Sequence, residues 1–197
     1  MKKFLSFFLF FIISFSSVDN AYSISPDVFI QSTVNRASQV LSKNLSKKEK
    51  IIELKKIAKE TVDIEGVGYY SLGSARKDLN NTQKTKYHNL FEKYFLKSFS
   101  SRLAEYTNPE IEVKDKEVLN ENYTIVRSVL VGTSERPEVK IDWRVYTKNP
   151  KNPLIRDLII EGLSLARTQK EEFASILNSN DNNLDVLLET LENFSKD

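Results

Sequence analysis

The sequence predicts an α+β domain in which an antiparallel meander sheet of four or more strands carries several helices on one face. Between residues 26 and 106, apolar residues recur every three or four positions, as on one face of a helix. Between residues 111 and 161 they recur at every second position, as on one face of a strand. Short turns join the strand segments, and such turns favour hairpins between neighbouring antiparallel strands. The helical spacing returns after residue 164.

The first 23 residues have the three parts of a secretory signal peptide. Lys2 and Lys3 form a short basic region, and residues 4–15 form an almost wholly apolar run. Ala21 and Ser23 are small residues at the −3 and −1 positions of a cleavage site. The apolar run is too short to span a membrane. Because the richness in Lys, Asn and Ile is typical of AT-rich bacterial genomes, we expect export to the periplasm and a single mature domain over residues 24–197.

Composition excludes several classes of protein. The chain carries 29 basic and 27 acidic residues, a near-neutral balance that does not suit a strongly basic nucleic-acid binder. With 28% charged and 40% hydrophobic residues it is expected to fold rather than remain disordered. The sequence contains no Cys and one His, which excludes disulfides, thiolate catalysis and metal clusters rich in His.

Three helices are predicted in the first part of the mature chain, each from its start or stop signal. Ser25 is suited to cap a first helix that has a proline at its first position. Ser46 and Glu49 have the spacing of a capping box at the start of a second helix. Asp63 can cap a short third helix, and Gly73 is suited to the position just after its end.

The longest predicted helix begins at Thr82 and is ended by Asn108 and Pro109, because proline disfavours a helical residue before it. Lysines occupy much of its surface. One face is apolar over about 25 residues and carries Tyr87, Leu90, Phe91, Tyr94, Phe95, Phe99, Leu103 and Tyr106.

Four strands are predicted, at residues 111–118, 123–131, 139–147 and 154–161. The third alternates most clearly, with Val139, Ile141, Trp143 and Val145 expected on one face and Lys140, Asp142 and Arg144 on the other. After the fourth strand, residues 162–164 are expected to leave the sheet for a helix. A break at residues 180–183 precedes a last amphipathic helix.

The residues that usually carry chemistry do not form a recognisable catalytic site. His88 has no partner residue near it in the sequence, so we interpret it as a surface or helix-packing residue. Asp157 and Glu161 are interpreted as ion-pair or capping residues, since arginines are predicted in the neighbouring strands. No nucleophile elbow, P-loop or dinucleotide motif is present. We therefore predict no catalytic residue, no metal site, no cofactor and no enzymatic activity.

An excess of aromatic and branched apolar residues is predicted where the long helix faces the sheet. Periodicity alone favours an ordinary hydrophobic core. A cavity for a lipid would use the same residue types, so composition does not separate these two alternatives.

Several segments, taken in order, resemble the MlaC family of periplasmic phospholipid-binding proteins, also called the toluene-tolerance auxiliary family. The first runs from Val62-Asp63 to Leu72-Gly73, and the second from Thr82-Gln83 to Tyr106 with its aromatic face. The third is residues 156–165, Arg-Asp-Leu-Ile-Ile-Glu-Gly-Leu-Ser-Leu. Residues 173–177, Phe-Ala-Ser-Ile-Leu, and a Leu-rich last helix follow. The resemblance covers nearly the whole mature chain.

The resemblance implies a soluble, monomeric phospholipid carrier in the periplasm. Such a carrier would move lipid between an inner-membrane ABC transporter complex and an outer-membrane lipoprotein–porin complex, and so maintain the lipid asymmetry of the outer membrane. Two acyl chains require a largely apolar pocket of about 1,000 Å³. The residues expected to bind the lipid are Phe95, Phe99, Leu103, Tyr106, Val129, Val131, Ile141, Trp143, Val145, Ile159, Leu163 and Phe173.

Two other classes of function remain open at this stage. A small α+β enzyme could use Asp142 or Asp157 as a base, which would need a buried acid in a polar pocket. A periplasmic adaptor or chaperone would instead need an exposed apolar patch and no deep cavity.

Overall fold

The computed structural model describes residues 23–196, so the predicted signal peptide, except Ser23, lies outside the described residues. The helices are α1 (Pro26–Ser42), α2 (Lys47–Thr61), α3 (Ile64–Ser71), α4 (Asn81–Leu103), α5 (Leu165–Asn178) and α6 (Leu184–Lys196), with a short 3₁₀ helix at Gly73–Lys77. The strands are β1 (Ile111–Asn120), β2 (Tyr123–Leu130), β3 (Val139–Tyr146), β4 (Leu154–Ile160) and β5 (Leu163–Ser164). Over residues 23–196, no helix combines the length and apolar character needed to cross a membrane.

The five strands form one antiparallel sheet in the order β1-β2-β3-β4-β5, which confirms the predicted meander and the α+β class. Strand β5 was not expected, because residues 162–164 were predicted to leave the sheet. Instead Leu163 and Ser164 pair with the end of β4 before α5 begins. The intervening turn has positive φ angles at Glu161 (48°) and Gly162 (82°), the pattern of a tight two-residue hairpin turn.

The two faces of the sheet differ as the alternation in β3 predicted. Ile141, Trp143 and Val145 are buried against the helices, whereas the residues between them are half-buried on the other face. Residues directly opposite each other in antiparallel strands share a face. Trp143 lies opposite Val126 in β2 and Leu158 in β4. The inner face is therefore continuous across β2, β3 and β4.

The signals for the starts of α2 and α3 act as predicted. The Ser46 hydroxyl accepts a hydrogen bond from the Glu49 amide, and the Glu49 carboxylate accepts one from the Ser46 amide (2.9 Å). Asp63 caps α3 by accepting a hydrogen bond from the Gly66 amide at 2.9 Å. Gly73 follows α3 with a φ of 57°, a conformation that glycine adopts without steric cost.

Helix α4 differs from its prediction at both ends. Asn80 caps it two residues before the expected start, using a capping box with Gln83. The helix ends at Leu103, well before Pro109, because the chain tightens into hydrogen bonds between residues three apart. One such bond joins the Tyr106 amide to the Leu103 carbonyl at 3.1 Å. Tyr106 therefore lies after α4 and not on its apolar stripe.

Helix α1 covers the outer edge of β1. The Gln31 side-chain amide donates to the Ile111 carbonyl (3.4 Å) and accepts from the Val113 amide (3.2 Å), so backbone groups of the edge strand are satisfied. Asp27 also pairs with Lys116 of β1 at 2.6 Å. Hydrogen bonds from Lys116 and Ser25 lower the pKa of the Asp27 carboxyl to about 2.

An aromatic cluster holds α3, α4 and α5 together. The rings of Tyr87, Phe91 and Phe173 are buried and contact one another with centroid separations of 5.7–6.5 Å. The Tyr87 hydroxyl donates to the Gly68 carbonyl of α3 at 2.9 Å, and burial raises the pKa of that hydroxyl. A Cβ atom at Gly68 would lie 2.8 Å from the Phe91 ring, so this glycine permits the close approach of α3 and α4.

We expect Gly68→Val to destabilise the fold by about 1–3 kcal/mol, because the new side chain must displace the Phe91 ring from a packed core. The free energy of unfolding can be measured by urea denaturation followed by circular dichroism. Glu65→Val introduces the same residue at an exposed position of α3 and should change stability by less than about 0.5 kcal/mol. Equal losses in the two variants would show that the α3–α4 contact is not responsible.

Candidate functional site

A partly open apolar cavity of about 120 Å³ lies between α1, α2 and α4 on one side and the inner face of the sheet on the other. Its wall is formed by Thr33, Val34, Ala37, Ser38, Leu41, Leu54, Ile57, Ala58, Thr61, Val62, Phe99, Leu103, Tyr106, Pro109, Ile111, Leu130, Ile141, Trp143, Ile155, Leu158 and Ile160. The cavity is much smaller than the 1,000 Å³ expected from the sequence, because α1 packs directly on β1 and β2.

Helical spacing and strand alternation bring the wall together. Phe99 and Leu103 are four residues apart and therefore lie on the same side of α4. Ile141 and Trp143 are two apart and lie on the same side of β3. Opposite them, α1 and α2 contribute Ala37 and Ala58, whose short side chains leave space where larger residues would fill the interior.

Four polar side chains of the wall already have hydrogen-bond partners within the protein. Thr33 and Thr61 donate their hydroxyls to carbonyls of their own helices at 2.8 Å. Ser38 donates to the Pro109 carbonyl at 2.8 Å, and the Trp143 indole donates to the Ser128 hydroxyl at 2.8 Å. These side chains therefore offer no free donor to a ligand, and the cavity suits an apolar molecule.

A second apolar cavity of about 60 Å³ adjoins the first. Both contact Phe99, Trp143 and Ile155, so the partition between them is one side chain thick. Phe95 lies on the second cavity, and its ring stacks on Phe99 at 5.4 Å. The two cavities together follow the inner face of the sheet from β1 to the start of α5.

Five of the twelve residues expected to bind a ligand line the main cavity: Phe99, Leu103, Tyr106, Ile141 and Trp143. Phe95 lines the adjoining one. The structure does not bring the other six to either wall. Val145 is fully buried in the core next to the cavity, and Phe173 belongs to the aromatic cluster. Leu163 is 60% exposed on β5, and Val131 follows the end of β2.

Val129 and Ile159 were placed on the wrong face of the sheet. Each pairs in register with a residue of β3 that points away from the helices, Lys140 and Asp142 respectively. Nearly every position near the ends of β2 and β4 is apolar, so alternation there does not indicate a face. The neighbours Leu130, Leu158 and Ile160 occupy the wall instead.

The contributions of α1 and α2 to the cavity were not predicted. Their apolar stripes were recognised, but a stripe that packs on a core and one that lines a cavity have the same spacing. The available signal was the small size of Ala37 and Ala58 within those stripes.

The acidic residues considered as catalytic bases serve structural roles or lie outside the cavities. Asp157 accepts hydrogen bonds from the Ser164 hydroxyl (2.6 Å) and the Ala166 amide (3.0 Å), so it caps the start of α5. Asp142 lies on the outer face of the sheet. Within residues 23–196, no group of three or more His, Asp or Glu side chains could hold a metal ion.

Comparison with known proteins gives a family and solved structures of the same fold. A family model described as MlaC protein matches residues 31–193. The fold is similar to the three-dimensional structure of the phospholipid-binding protein from Ralstonia solanacearum in complex with a phospholipid, with a TM-score of 0.74. The two chains are 18% identical, and the similarity covers 88% of this chain and 98% of the other. No curated protein matches the sequence.

The cavity predicts different responses to a charge at two apolar positions. Val145→Asp would bury a carboxylate without a partner and should cost about 3–5 kcal/mol of stability. Leu103→Asp, at a half-buried position of the cavity wall, should cost about 0.5–2 kcal/mol because water can reach the carboxylate. Urea unfolding at neutral pH measures both, with exposed Val118→Asp as the control. If Leu103→Asp is as damaging as Val145→Asp, position 103 lies in a solid core.

Proposed function

This chain belongs to the MlaC family, and we propose that it is a soluble, monomeric periplasmic carrier that binds a phospholipid by its acyl chains. Its route would run between an inner-membrane ABC transporter complex and an outer-membrane lipoprotein–porin complex, and the transport would maintain the lipid asymmetry of the outer membrane. The observation that carries this proposal is the apolar cavity between the helices and the inner face of the sheet. The structure of the Ralstonia phospholipid-binding protein, which shares the fold, supports it.

The free energy of exposing acyl chains to water explains why a carrier needs an apolar interior. Two acyl chains contain roughly 30 methylene groups, and each costs about 0.8 kcal/mol to expose to water. A carrier must offset most of this cost and still release the lipid. A wall that is largely apolar, and whose Thr33, Ser38 and Thr61 hydroxyls bond within the protein, can do so, because it holds the chains without directional bonds.

The cavity must widen to accept the chains, because 120 Å³ is well below the volume that ligand sites of this kind occupy. We propose that α1 and α2 move away from the sheet together. Four residues of these helices, Val40, Leu41, Leu54 and Ile57, pack on one another in a small apolar cluster that is separate from the main core. Ile30, Val34 and Ala58 of the same helices belong to the main core, so the movement must also separate their contacts.

We propose that no catalytic step accompanies binding. Lipid transfer changes only the surroundings of the acyl chains and requires no nucleophile or proton transfer. The hydrogen bonds that fix Asp157 at the start of α5 support this view, because both of its oxygens are engaged within the protein. His88 is half-buried on α4 and lines neither apolar cavity.

Protein purified from a bacterial periplasm should carry a two-chain phospholipid, detectable by native mass spectrometry and lipid extraction. Ala37→Trp should lose that lipid with little change in thermal stability, because the indole would fill the cavity. Ala174→Trp makes the same change at an exposed position of α5 and should retain the lipid. An empty wild-type protein, or full occupancy in Ala37→Trp, would contradict the proposal.

Export is tested by the mass of the same periplasmic protein. We propose that the mature chain begins at Ile24, after cleavage behind Ser23. Intact mass measurement and N-terminal sequencing should find this start within a few residues. Replacing Ala21 by Arg should impair cleavage, because the −3 position accepts small residues. Periplasmic protein that keeps Met1 would contradict the assignment.

A further inference from the structure

A polar pocket of about 360 Å³ opens at the surface beside the start of α5. Arg144 of β3 and Arg156 of β4 line it together with Tyr123 of β2. Lys170 adds a third cation near the rim, since its Nζ lies 5.3 Å from the ring centre of Tyr70, another lining residue. The pocket therefore presents cationic groups from three elements.

A β-bulge places Arg156 there. Arg144 pairs with Asp157 and Val145 pairs with Ile155, so Arg156 is the extra residue of β4. Its guanidinium donates to Asp63 and to the Tyr123 hydroxyl, both at 2.6 Å, and lies 3.8 Å from the ring centre of Tyr146. Arg156 is thus a fixed part of the wall.

The unused hydrogen-bonding capacity of this wall lies in its donors. Asp157 accepts from Ser164 and Ala166, and Asp63 accepts from Gly66 and Arg156, so all four carboxylate oxygens are occupied.

Arg144 differs, because among residues 23–196 its guanidinium donates no hydrogen bond. The Nε of Arg144 is buried without a partner. The nearest carboxylate oxygen, Oδ2 of Asp157, lies 3.9 Å from the Nη1 of Arg144, beyond hydrogen-bond distance. An orphaned buried donor costs free energy, and an anionic oxygen would remove that cost.

The polar pocket adjoins the apolar interior. It shares Arg156, Asp157 and Ala166 with the 60 Å³ cavity, which in turn shares Phe99 and Trp143 with the main cavity. A molecule with apolar chains along the sheet could therefore place a polar end group at Arg144.

The opposite end of the interior is less suitable for an anion. Arg136 there also has a buried Nε without a partner and lies over the Tyr106 ring, but its Nη2 already donates to the Val131 carbonyl at 3.2 Å. A surface pocket there shares Ser38, Pro109 and Ile111 with the main cavity, but Glu110 and Glu112 line it. Its nearby cation, Lys114, already pairs with Glu112. Glu110 and Glu112 would repel a phosphate at this end, whereas both carboxylates at the Arg144 end are already occupied by donors of the protein.

We propose that Arg144 binds the phosphate of the phospholipid, with Arg156 and Lys170 supplying further positive charge. The inference rests on the carrier function proposed above and adds to it the position and polarity of the head group. Arg144 points to the outer face of β3, so the acyl chains would pass beside Arg156 and Asp157, which line both the polar pocket and the 60 Å³ cavity. They would then follow the inner face of the sheet toward Leu103.

The test compares two lipids with the same acyl chains, dioleoyl phosphatidylglycerol and dioleoylglycerol, which lacks the phosphate. Lipid-free mature protein, residues 24–197, should bind the phosphatidylglycerol at least about tenfold more tightly. Arg144→Gln should weaken phosphatidylglycerol binding about tenfold to a hundredfold and leave dioleoylglycerol binding unchanged. Equal affinity of the wild type for both lipids, or an equal loss for both in Arg144→Gln, would overturn the proposal.

Matched controls separate this site from general charge effects. Arg127→Gln makes the same change on the same face of the sheet, where Arg127 pairs with Asp115 and Glu117, and should alter neither affinity. If Arg144→Gln does not fold, Arg144→Lys keeps the charge but loses the forked donors, and should bind phosphatidylglycerol with an intermediate affinity.

Free glycerol 3-phosphate distinguishes a lipid site from a site for soluble phosphate. It should bind at least a thousandfold more weakly than phosphatidylglycerol, because most of the affinity would come from the acyl chains. Comparable affinity would overturn the lipid assignment. A wild-type protein that binds neither lipid would overturn the carrier function as well, an outcome distinct from the loss of head-group preference alone.

Discussion

The ion pair between Asp63 and Arg156 is the interaction on which the rest of the structure depends, because it joins the helical layer to the sheet. Asp63 also caps α3 and donates its backbone amide to the Ile155 carbonyl at 2.9 Å. On the sheet side, the bulge in β4 turns Arg156 toward it. Gly66 is necessary at this junction, since a Cβ atom there would lie 2.5 Å from the Asp63 carboxylate and 2.9 Å from Arg156 Nε.

From this junction the interior divides into a tightly packed part and a loosely packed part. Toward α3, α4 and α5, the rings of Tyr87, Phe91 and Phe173 fill the space and are the largest fully buried side chains of the described residues. Toward α1 and α2, alanines on the helices face the sheet across the cavity. For the carrier that we propose, this division has a clear advantage. The aromatic part keeps the fold stable while the other part changes its volume with the cargo.

Local sequence signals were sufficient for most of the elements. Ser46 with Glu49, and Asp63 with Gly73, identified helix ends through hydrogen bonds and backbone angles that involve only neighbouring residues. Alternation from residue 139 to 145 identified the inner face of β3, since polar residues separate the apolar ones. The Asn80–Gln83 capping box is also a local signal, but the prediction did not use it. The predicted start of α4, Thr82, therefore lies after the observed one.

The sequence by itself determined the α+β class, the meander order of the strands and which residues of β3 face the helices, because these follow from periodicity and short turns. Only the tertiary structure decided which face β2 and β4 present, since Val129 and Leu130 are equally apolar and the choice depends on pairing with β3. It also decided where α4 ends and that Leu163 and Ser164 return to the sheet. Above all, it decided that Phe99 and Trp143 line a cavity. Core and cavity use the same residues, and the distance between helices and sheet is set by contacts between residues far apart in the chain.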